Sequence, residues 1–295
     1  EIIPAKMHEA WSHHFHDPNR PIAALPIPPW NDEDHTLLPP LTFIVKKLTR
    51  PPMGKAPGPD CISGELIKCC PTEPLALLLL EVYRQFALTS IPSSYLTTAV
   101  WFIYKKKGLV TDPSSYRPIS LINYDMVILS HWLLSTIEKY IPTYLPDTQQ
   151  GFITKRWTIN NIRYVQDLMV ALRNKMVRRD LDTRYEGVIL GFLDFRKAFD
   201  TGDWRYLLKC LQTLEPLPSA LLFWIPRLYN VNFTTILGCN HNDTEDGLPS
   251  LRVSQGVKQG DPLSPILFNI LADSLIKKFQ SLHIPISLTF KQTSQ

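Results

Sequence analysis

Proline shapes this chain more strongly than any other residue. The 295 residues include 26 prolines but only 12 glycines. Because proline fixes its own φ angle and has no N–H to donate, this composition favours short elements joined by stiff connections. Residues 51–60, PPMGKAPGPD, form one such connection, which can be neither a helix nor a central strand. Hydrophobic residues make up 44% of the chain, which is enough for a real core and excludes disorder throughout.

The spacing of apolar residues predicts both helices and strands. Helical spacing occurs over residues 5–15, 63–69, 73–88, 121–141, 158–175, 204–214 and 219–230, and from the loop at 254–265 to about 282. Residues 98–104 have the pattern of a strand, and 232–238 with 250–253 that of a hairpin. A continuous apolar run at 188–193 is typical of a buried strand, and it ends directly before Asp194.

Charge is distributed unevenly along the chain. Residues 46–184 contain 19 Lys and Arg against 11 Asp and Glu, a net charge of +8, whereas the rest carries −4. A basic first half with an acidic remainder fits a polyanionic partner beside a metal-binding patch. An ordinary solvated surface has the same pattern, so charge alone leaves both interpretations open.

Cysteine usage and hydropathy favour an intracellular protein, either nuclear or cytoplasmic. The five cysteines form no CxxC pair, so we expect reduced thiols rather than a disulfide framework. The longest apolar run, at 75–80, is too short to cross a bilayer, and we expect neither a signal peptide nor membrane association.

Asp194 is the most informative single residue. A carboxylate at the end of a buried strand is costly unless it binds a proton, a cation or a metal. Mg²⁺ is typically held by one or two carboxylates together with substrate phosphates, so Asp194 with the backbone carbonyl of Phe195 suits a nucleotide-bound Mg²⁺. The alternative is that Asp194 or Asp200 caps the following helix, and for Asp200 capping is the favoured interpretation.

Two further segments have the residue types of a nucleotide or nucleic-acid site. Residues 259–265, QGDPLSP, predict a rigid loop whose backbone approaches a ligand closely, with Ser264 as the N-cap of the next helix. Lys105, Lys106 and Lys107 lead through a predicted hairpin to Arg117, beside Tyr116, as in a surface that contacts phosphates and bases. A charged surface hairpin without function explains the second segment nearly as well.

Taken in order, five blocks of the sequence resemble a reverse transcriptase, and most of all the polymerases of non-LTR (LINE-type) retrotransposons. The blocks are residues 54–68 (GKAPGPDCISGELIK), 101–123 (WFIYKKKG and DPSSYRPISLIN), 149–162 (QQGFITKR and NNI), 193–200 (LDFRKAFD) and 256–271 (GVKQGDPLSPILFNIL).

The resemblance implies an α/β (α+β) fold built as the fingers and a partial palm of a right-hand polymerase, with an antiparallel palm sheet flanked by helices and no thumb. It implies a proline- and histidine-rich arm at 1–40, fingers with the first palm helices at 41–187, and a partial palm at 188–295 carrying motifs A and B. Motif A is the block around Asp194, and motif B is the block around Gln259.

The resemblance also implies roles for individual residues. Asp194 would ligate catalytic Mg²⁺, with Mn²⁺ as an alternative ion, and Phe195 would add its backbone carbonyl. Phe199 would be the steric gate that favours deoxynucleotides. Gln259 and Gly260 would pack beside the incoming nucleotide and the templating base. The cations that would neutralise triphosphate or template phosphates are Arg117, Lys105, Lys106 and Lys107. The partners implied are an RNA template, a DNA primer and deoxynucleoside triphosphates, joined by two-metal nucleotidyl transfer.

One block of the family is absent from these 295 residues. No adjacent Asp-Asp pair occurs, and Leu271-Ala272-Asp273 lies too early, within the helix after the QGDPLSP loop. Lys258 and Asp261 also depart from the usual residues. We therefore expect this chain alone not to polymerise. The alternative is a non-catalytic nucleic-acid-binding remnant of a decayed or domesticated retroelement, and an intron maturase is less favoured.

Overall fold

A computed structural model describes residues 4–17, 25–30, 34–178, 191–192, 194–195, 197–230, 232–236 and 250–281. The helices are α1 (Pro4–Phe15), α2 (Leu41–Thr49), α3 (Gly64–Cys69), α4 (Thr72–Leu88), α5 (Ser93–Leu96), α6 (Tyr124–Glu138), α7 (Ile141–Tyr144), α8 (Thr158–Arg178), α9 (Trp204–Gln212), α10 (Ser219–Leu228) and α11 (Ser264–Ser281). The strands are β1 (Thr98–Tyr104), β2 (Tyr116–Leu121), β3 (Asn232–Ile236) and β4 (Leu251–Val253). The predicted helices and the predicted strand at 98–104 are confirmed, while α2 was not predicted.

The four strands form one sheet in the order β2-β1-β3-β4. β1 pairs antiparallel with β2, with Trp101 opposite Ile119, and β3 pairs antiparallel with β4, which confirms the predicted hairpin. β1 and β3 run parallel, with Ala99 opposite Thr235. The parallel pairing of β1 with β3 was not predicted. No tight turn joins β1 to β3, and a crossover through several helices returns the chain in the same direction.

The main core lies among the helices and is anchored by buried aromatic side chains that bond to backbone carbonyls. Trp224 of α10 donates its indole N–H to the Leu37 carbonyl at 2.6 Å, and the Tyr83 hydroxyl of α4 donates to the Asp125 carbonyl at 2.6 Å. These bonds satisfy polar atoms that burial would otherwise leave without a partner. α9 packs against both α10 and α11, so that motif B becomes part of this core.

Helix α1 covers one face of the sheet. Its Trp11 and Phe15 form a second, smaller core with Val100, Ile236 and Leu251. The helix predicted at 5–15 is thus confirmed, and it packs as part of the folded structure. The Lys197 ammonium lies 4.2 Å from the Trp11 ring centroid, which connects α1 to motif A.

The strand predicted at 188–193 is not formed where the structure describes it. Residues 188–190 and Leu193 lie outside the described residues, whereas Gly191 and Phe192 belong to no strand and Phe192 is 83% exposed. At Gly191 and Phe192 the prediction of a strand is therefore wrong.

Within the described ranges, no helix has the length and apolar character needed to cross a membrane. The cysteines of those ranges are free thiols: Cys61, Cys69, Cys70 and Cys210.

Candidate active site

The loop between β4 and α11 is joined by backbone hydrogen bonds to two other blocks of the sequence. The Val257 N–H donates to the Phe199 carbonyl at 2.6 Å, and the Gln259 carbonyl accepts from the Ser120 N–H at 2.7 Å. The loop is therefore bonded to motif A on one side and to the end of β2 on the other. A close backbone approach of this kind explains why Gly256 and Gly260 flank it, with φ angles of +80° and +122°.

Aromatic rings connect motif A to α11. Phe199 stacks on Phe268 with ring centroids 5.3 Å apart, and Phe195 meets the same ring edge-on at 6.0 Å. Phe152 approaches Phe199 edge-on from the QQGF turn at 6.2 Å. Three of the five sequence blocks thus contribute to one aromatic cluster, which holds the Phe199 ring in a defined position.

Asn269 is a site residue that the sequence analysis missed. Its side-chain amide donates to the Gly151 carbonyl at 2.8 Å, and its side-chain oxygen accepts from Gln149 at 2.8 Å. Arg156 closes the same turn by donating to the carbonyls of Pro146 and Gln149. The signal that could have found it was a polar residue inside the apolar helical run SPILFNIL, since a buried amide is retained only where it finds partners.

The environments of Asp194 and Asp200 differ from the predicted ones, in which Asp194 ends a buried strand and Asp200 caps a helix. Asp194 is exposed. Asp200 is only 6% exposed, and burial raises its pKa to about 6, partly offset by Lys197 and Lys105. The expectation that Asp200 caps α9 was also wrong. Asp203 does so, and accepts from the Tyr206 N–H at 2.8 Å.

Asp200 borders a cavity of about 30 Å³, which is enclosed by residues of β1, β2 and the motif B loop. Thr98, Ser120, Gln255 and Gln259 are among its lining residues. A buried carboxylate thus lies where three sequence blocks meet. Lys105 of the hairpin is near enough to this carboxylate to oppose part of the rise in its pKa.

The basic hairpin is exposed, and a hydrogen bond ties one of its cations to its own backbone. The Lys105 ammonium donates to the Ser114 carbonyl at 2.8 Å, which ties it to the hairpin's own backbone. Lys106, Lys107 and Arg117 are exposed, and Arg117 lies opposite Ile103 in the register of β1 and β2. The structure therefore distinguishes among the three lysines: Lys106 and Lys107 are exposed to solvent, whereas the Lys105 ammonium is hydrogen-bonded to the Ser114 carbonyl.

An apolar hollow of about 680 Å³ lies on the sheet face opposite α1, between β1, β2 and the proline–glycine loop. Trp101 and Ile103 line it, and the Trp101 side chain is 51% exposed. Exposed aromatic surface of this type is what stacking of nucleic-acid bases requires.

Lys258 and Asp261, the two departures from the usual family residues, are engaged in the interior. The Lys258 ammonium donates to the Leu96 carbonyl at 3.3 Å, and burial lowers its pKa to about 8 while Asp261 opposes that shift. The Asp261 carboxylate accepts from the Leu263 N–H at 3.1 Å. Ser264, predicted as the N-cap, is instead the first residue of α11.

The site residues supply only part of a two-metal centre. No group of three or more His, Cys, Asp or Glu side chains converges within the described ranges. Asp194 is the one carboxylate that the structure leaves exposed in motif A, next to the carbonyl of Phe195. This pair is compatible with one point of attachment for a hydrated, phosphate-bound divalent ion, but it does not make a closed two-metal site.

The structure thus brings Phe199, Gln259 and Gly260 together with the end of the strand that carries Arg117. Phe195 joins them through Phe268. Asp194 is connected to these residues as the sequence neighbour of Phe195, and its side chain is exposed. A rigid loop between a basic hairpin and an aromatic cluster has the features of a nucleotide and nucleic-acid binding site.

Comparison with known proteins identifies the family. The family described as reverse transcriptase (RNA-dependent DNA polymerase) matches residues 103–290. The chain is 28% identical over 188 residues to the retrovirus-related Pol polyprotein from type-1 retrotransposable element R2 of Nasonia vitripennis, a match covering 63% of this chain and 16% of that protein. It is 27% identical over 229 residues to the RNA-directed DNA polymerase from mobile element jockey of Drosophila melanogaster, covering 76% and 23% of the two chains.

A third relative is the probable RNA-directed DNA polymerase from transposon X-element of Drosophila melanogaster, 26% identical over 247 residues, or 81% of this chain and 25% of that protein. The chain belongs to the reverse transcriptase family. The three relatives carry the names of a retrotransposable element, a mobile element and a transposon. The chain spans between 16% and 25% of the length of these three relatives.

Proposed function

We propose that this chain forms the fingers and a partial palm that hold an RNA template, a DNA primer and a deoxynucleoside triphosphate for RNA-directed DNA synthesis. The observation that carries the proposal is the double attachment of the motif B loop, through Gln259 to Ser120 and through Val257 to Phe199. A loop bonded to both blocks presents its backbone to a nucleotide with little freedom left to lose on binding.

Charge and shape suggest where each part of the substrate binds. Lys106, Lys107 and Arg117 are exposed cations suited to template or triphosphate phosphates. Trp101, on the sheet face opposite α1, is suited to stacking against template bases. Phe199 is the steric gate of this proposal: its ring, which stacks on Phe268, would exclude a ribose 2′-hydroxyl and thereby select deoxynucleotides.

A divalent ion, Mg²⁺ or Mn²⁺, belongs to this proposal as a ligand of Asp194 and of the Phe195 carbonyl. When bound, such an ion stabilises negative charge that develops on phosphate oxygens. The described residues offer one carboxylate for it, and the 295 residues contain no Asp-Asp pair. We therefore expect this chain by itself to bind substrates without extending a primer, in an intracellular setting that is nuclear or cytoplasmic.

A second candidate function is nucleic-acid binding without catalysis. The observation that favours it is the contrast between an intact basic hairpin and an incomplete carboxylate set. In that case binding rests on phosphate contacts alone. It weakens steeply with salt, is indifferent to the identity of an added nucleotide, and does not change in Asp194→Ala.

The test is equilibrium binding of a fluorescent RNA template annealed to a dideoxy-terminated DNA primer. We expect the complementary deoxynucleotide to tighten binding more than a mismatched one, and we expect Gln259→Ala to remove that difference. Gln212→Ala, an exposed glutamine at the end of α9, is the matched control. Equal binding with both nucleotides would favour the second candidate. Template-dependent extension by the 295-residue chain, abolished in Asp194→Ala, would contradict the expected inactivity.

A further inference from the structure

A second large cavity, of about 700 Å³, shares only Pro59 with the lining of the hollow beside Trp101. Helix α2 packs against both α3 and α4, and Leu48 of α2 lines the cavity. None of the residues assigned above to metal, nucleotide or nucleic acid lines it. The cavity is therefore a separate feature that the polymerase function does not explain.

The lining has the pattern of a groove for a helix. Leu75, Leu78, Leu79 and Val82 of α4 recur at the spacing of one helix face, and all four line the cavity. They extend over about 10 Å of helix at 1.5 Å per residue. Across the cavity α3 contributes Leu66, which is 54% exposed, while Leu78 is 60% exposed. An apolar groove between helices, open along two helical turns, is the shape that an amphipathic helix occupies.

The same groove is acidic. Asp60 and Asp125 line it, and its lining residues include no Lys, Arg or His. Each carboxylate accepts a hydrogen bond from a nearby backbone N–H, that of Ile62 for Asp60 and that of Met126 for Asp125. Burial and the neighbouring Asp60 raise the pKa of Asp125 to about 6. A cation placed between these groups would offset the cost of keeping them ionised.

We propose that this groove binds an amphipathic helix of a partner protein, whose leucine-type side chains enter between α3 and α4 and whose Lys or Arg pairs with Asp125. The apolar stripe on α4 favours a partner helix with an apolar face. Asp60 and Asp125, with no Lys, Arg or His among the lining residues, favour a basic residue on that helix. A partner helix with an acidic residue at that position is rejected because it would bring a third negative charge into the groove.

The test uses two synthetic 18-residue peptides, each labelled with fluorescein. Both carry leucines at positions i, i+4, i+7 and i+11, and they differ only by Lys or Glu within the leucine face. Fluorescence anisotropy with the 295-residue chain is expected to show the Lys peptide binding about tenfold or more tightly than the Glu peptide. Asp125→Asn should remove most of that difference.

Adjacent leucines of α4 provide a matched pair of variants. Leu78→Lys places a charge in the groove and should weaken binding of the Lys peptide by about tenfold or more. Leu77 is 55% exposed but does not line the groove, so Leu77→Lys should leave binding unchanged. Because both leucines are exposed, neither variant is expected to unfold the protein, and the circular dichroism spectra of both variants should match that of the unaltered chain.

Three results would overturn the proposal: equal effects of Leu78→Lys and Leu77→Lys, equal binding of the two peptides, or no saturable binding up to about 1 mM peptide. Binding of the RNA–DNA hybrid is expected to be the same in Leu78→Lys as in the unaltered chain. Failure of the groove proposal is therefore distinguishable from failure of the proposed polymerase function.

Discussion

Replacing Gly256 with alanine tests the double attachment of the motif B loop directly. A Cβ at this position would lie 2.6 Å from the Phe199 carbonyl oxygen and 2.7 Å from the carbonyl carbon of Asp200. Both atoms belong to the backbone, so no change of rotamer relieves the contact. The φ angle of +80° adds about 1–2 kcal/mol of conformational strain for an L-residue, and overpacking adds about 1–3 kcal/mol. We expect Gly256→Ala to lower the free energy of unfolding by about 2–4 kcal/mol, after allowing for the smaller entropy of the unfolded chain.

Two other glycines separate the two causes. Gly54 has a φ of +65°, but no atom lies within 4 Å of the point that an alanine methyl would occupy. Gly54→Ala therefore measures the conformational strain alone, about 1 kcal/mol. Gly151 also faces open space and has no φ in the left-handed range, so Gly151→Ala should be close to neutral. Of these three, only Gly256→Ala combines strain with a backbone collision.

The assay is urea unfolding followed by tryptophan fluorescence. Trp204 is a local reporter, because its indole N–H donates to the Gly256 carbonyl at 2.6 Å. The midpoint should fall in the order Gly151→Ala, Gly54→Ala, Gly256→Ala. If Gly256→Ala unfolds at the same urea concentration as Gly54→Ala, the loop does not approach motif A closely, and the argument for a shared site fails.

Three further predictions test the surroundings of the site. Asp200→Asn should reduce the pH dependence of stability. Because the pKa of Asp200 is raised in the native state, that state binds the proton more tightly than the unfolded chain does. The free energy of unfolding of the unaltered chain should therefore fall as pH rises from about 4 to 6, by about 2–3 kcal/mol more than that of the variant. Urea unfolding at pH 4 and pH 7 measures this, and an identical pH dependence would refute it. Asn269→Ala should cost about 1–3 kcal/mol because it leaves the Gly151 carbonyl without its donor, whereas exposed Asn160→Ala should cost little. Arg117→Ala should weaken hybrid binding and lower the slope of log affinity against log salt by about 1, and exposed Lys139→Ala on the end of α6 should leave the slope as it is.

Local structure followed from sequence where neighbouring residues decide it. The amphipathic spacing of α9 and the β1–β2 hairpin with its turn at Asp112 are each encoded in one short continuous stretch, residues 204–212 and 98–121. The helix predicted at 63–69 forms as α3, and its first predicted residue, Ser63, is the N-cap whose hydroxyl accepts from the Leu66 N–H. In these elements the pattern and the tertiary packing agree.

What the sequence did not predict depends on distant neighbours. The parallel pairing of β1 with β3 joins segments more than a hundred residues apart, and no turn residue indicates its direction. The burial of Asp200 arises in the same way, since the cavity that it borders is lined by residues of β1, β2 and the motif B loop, which are far from it in the sequence. The exposure of Asp194 was likewise not predicted from the residues around it.

The sequence by itself determined the family and the identities of the residues that would meet substrate, because the ordered blocks carry chemistry in residue types and spacing. Only the tertiary structure decided which of them lie together: Gln259 against Ser120, Val257 against Phe199, and Asn269 against the QQGF turn. It also revealed the acidic groove between α3 and α4, whose lining residues come from segments spread over residues 48–125. Long-range proximity arises from packing many side chains at once, and a single chain's local pattern contains no record of it.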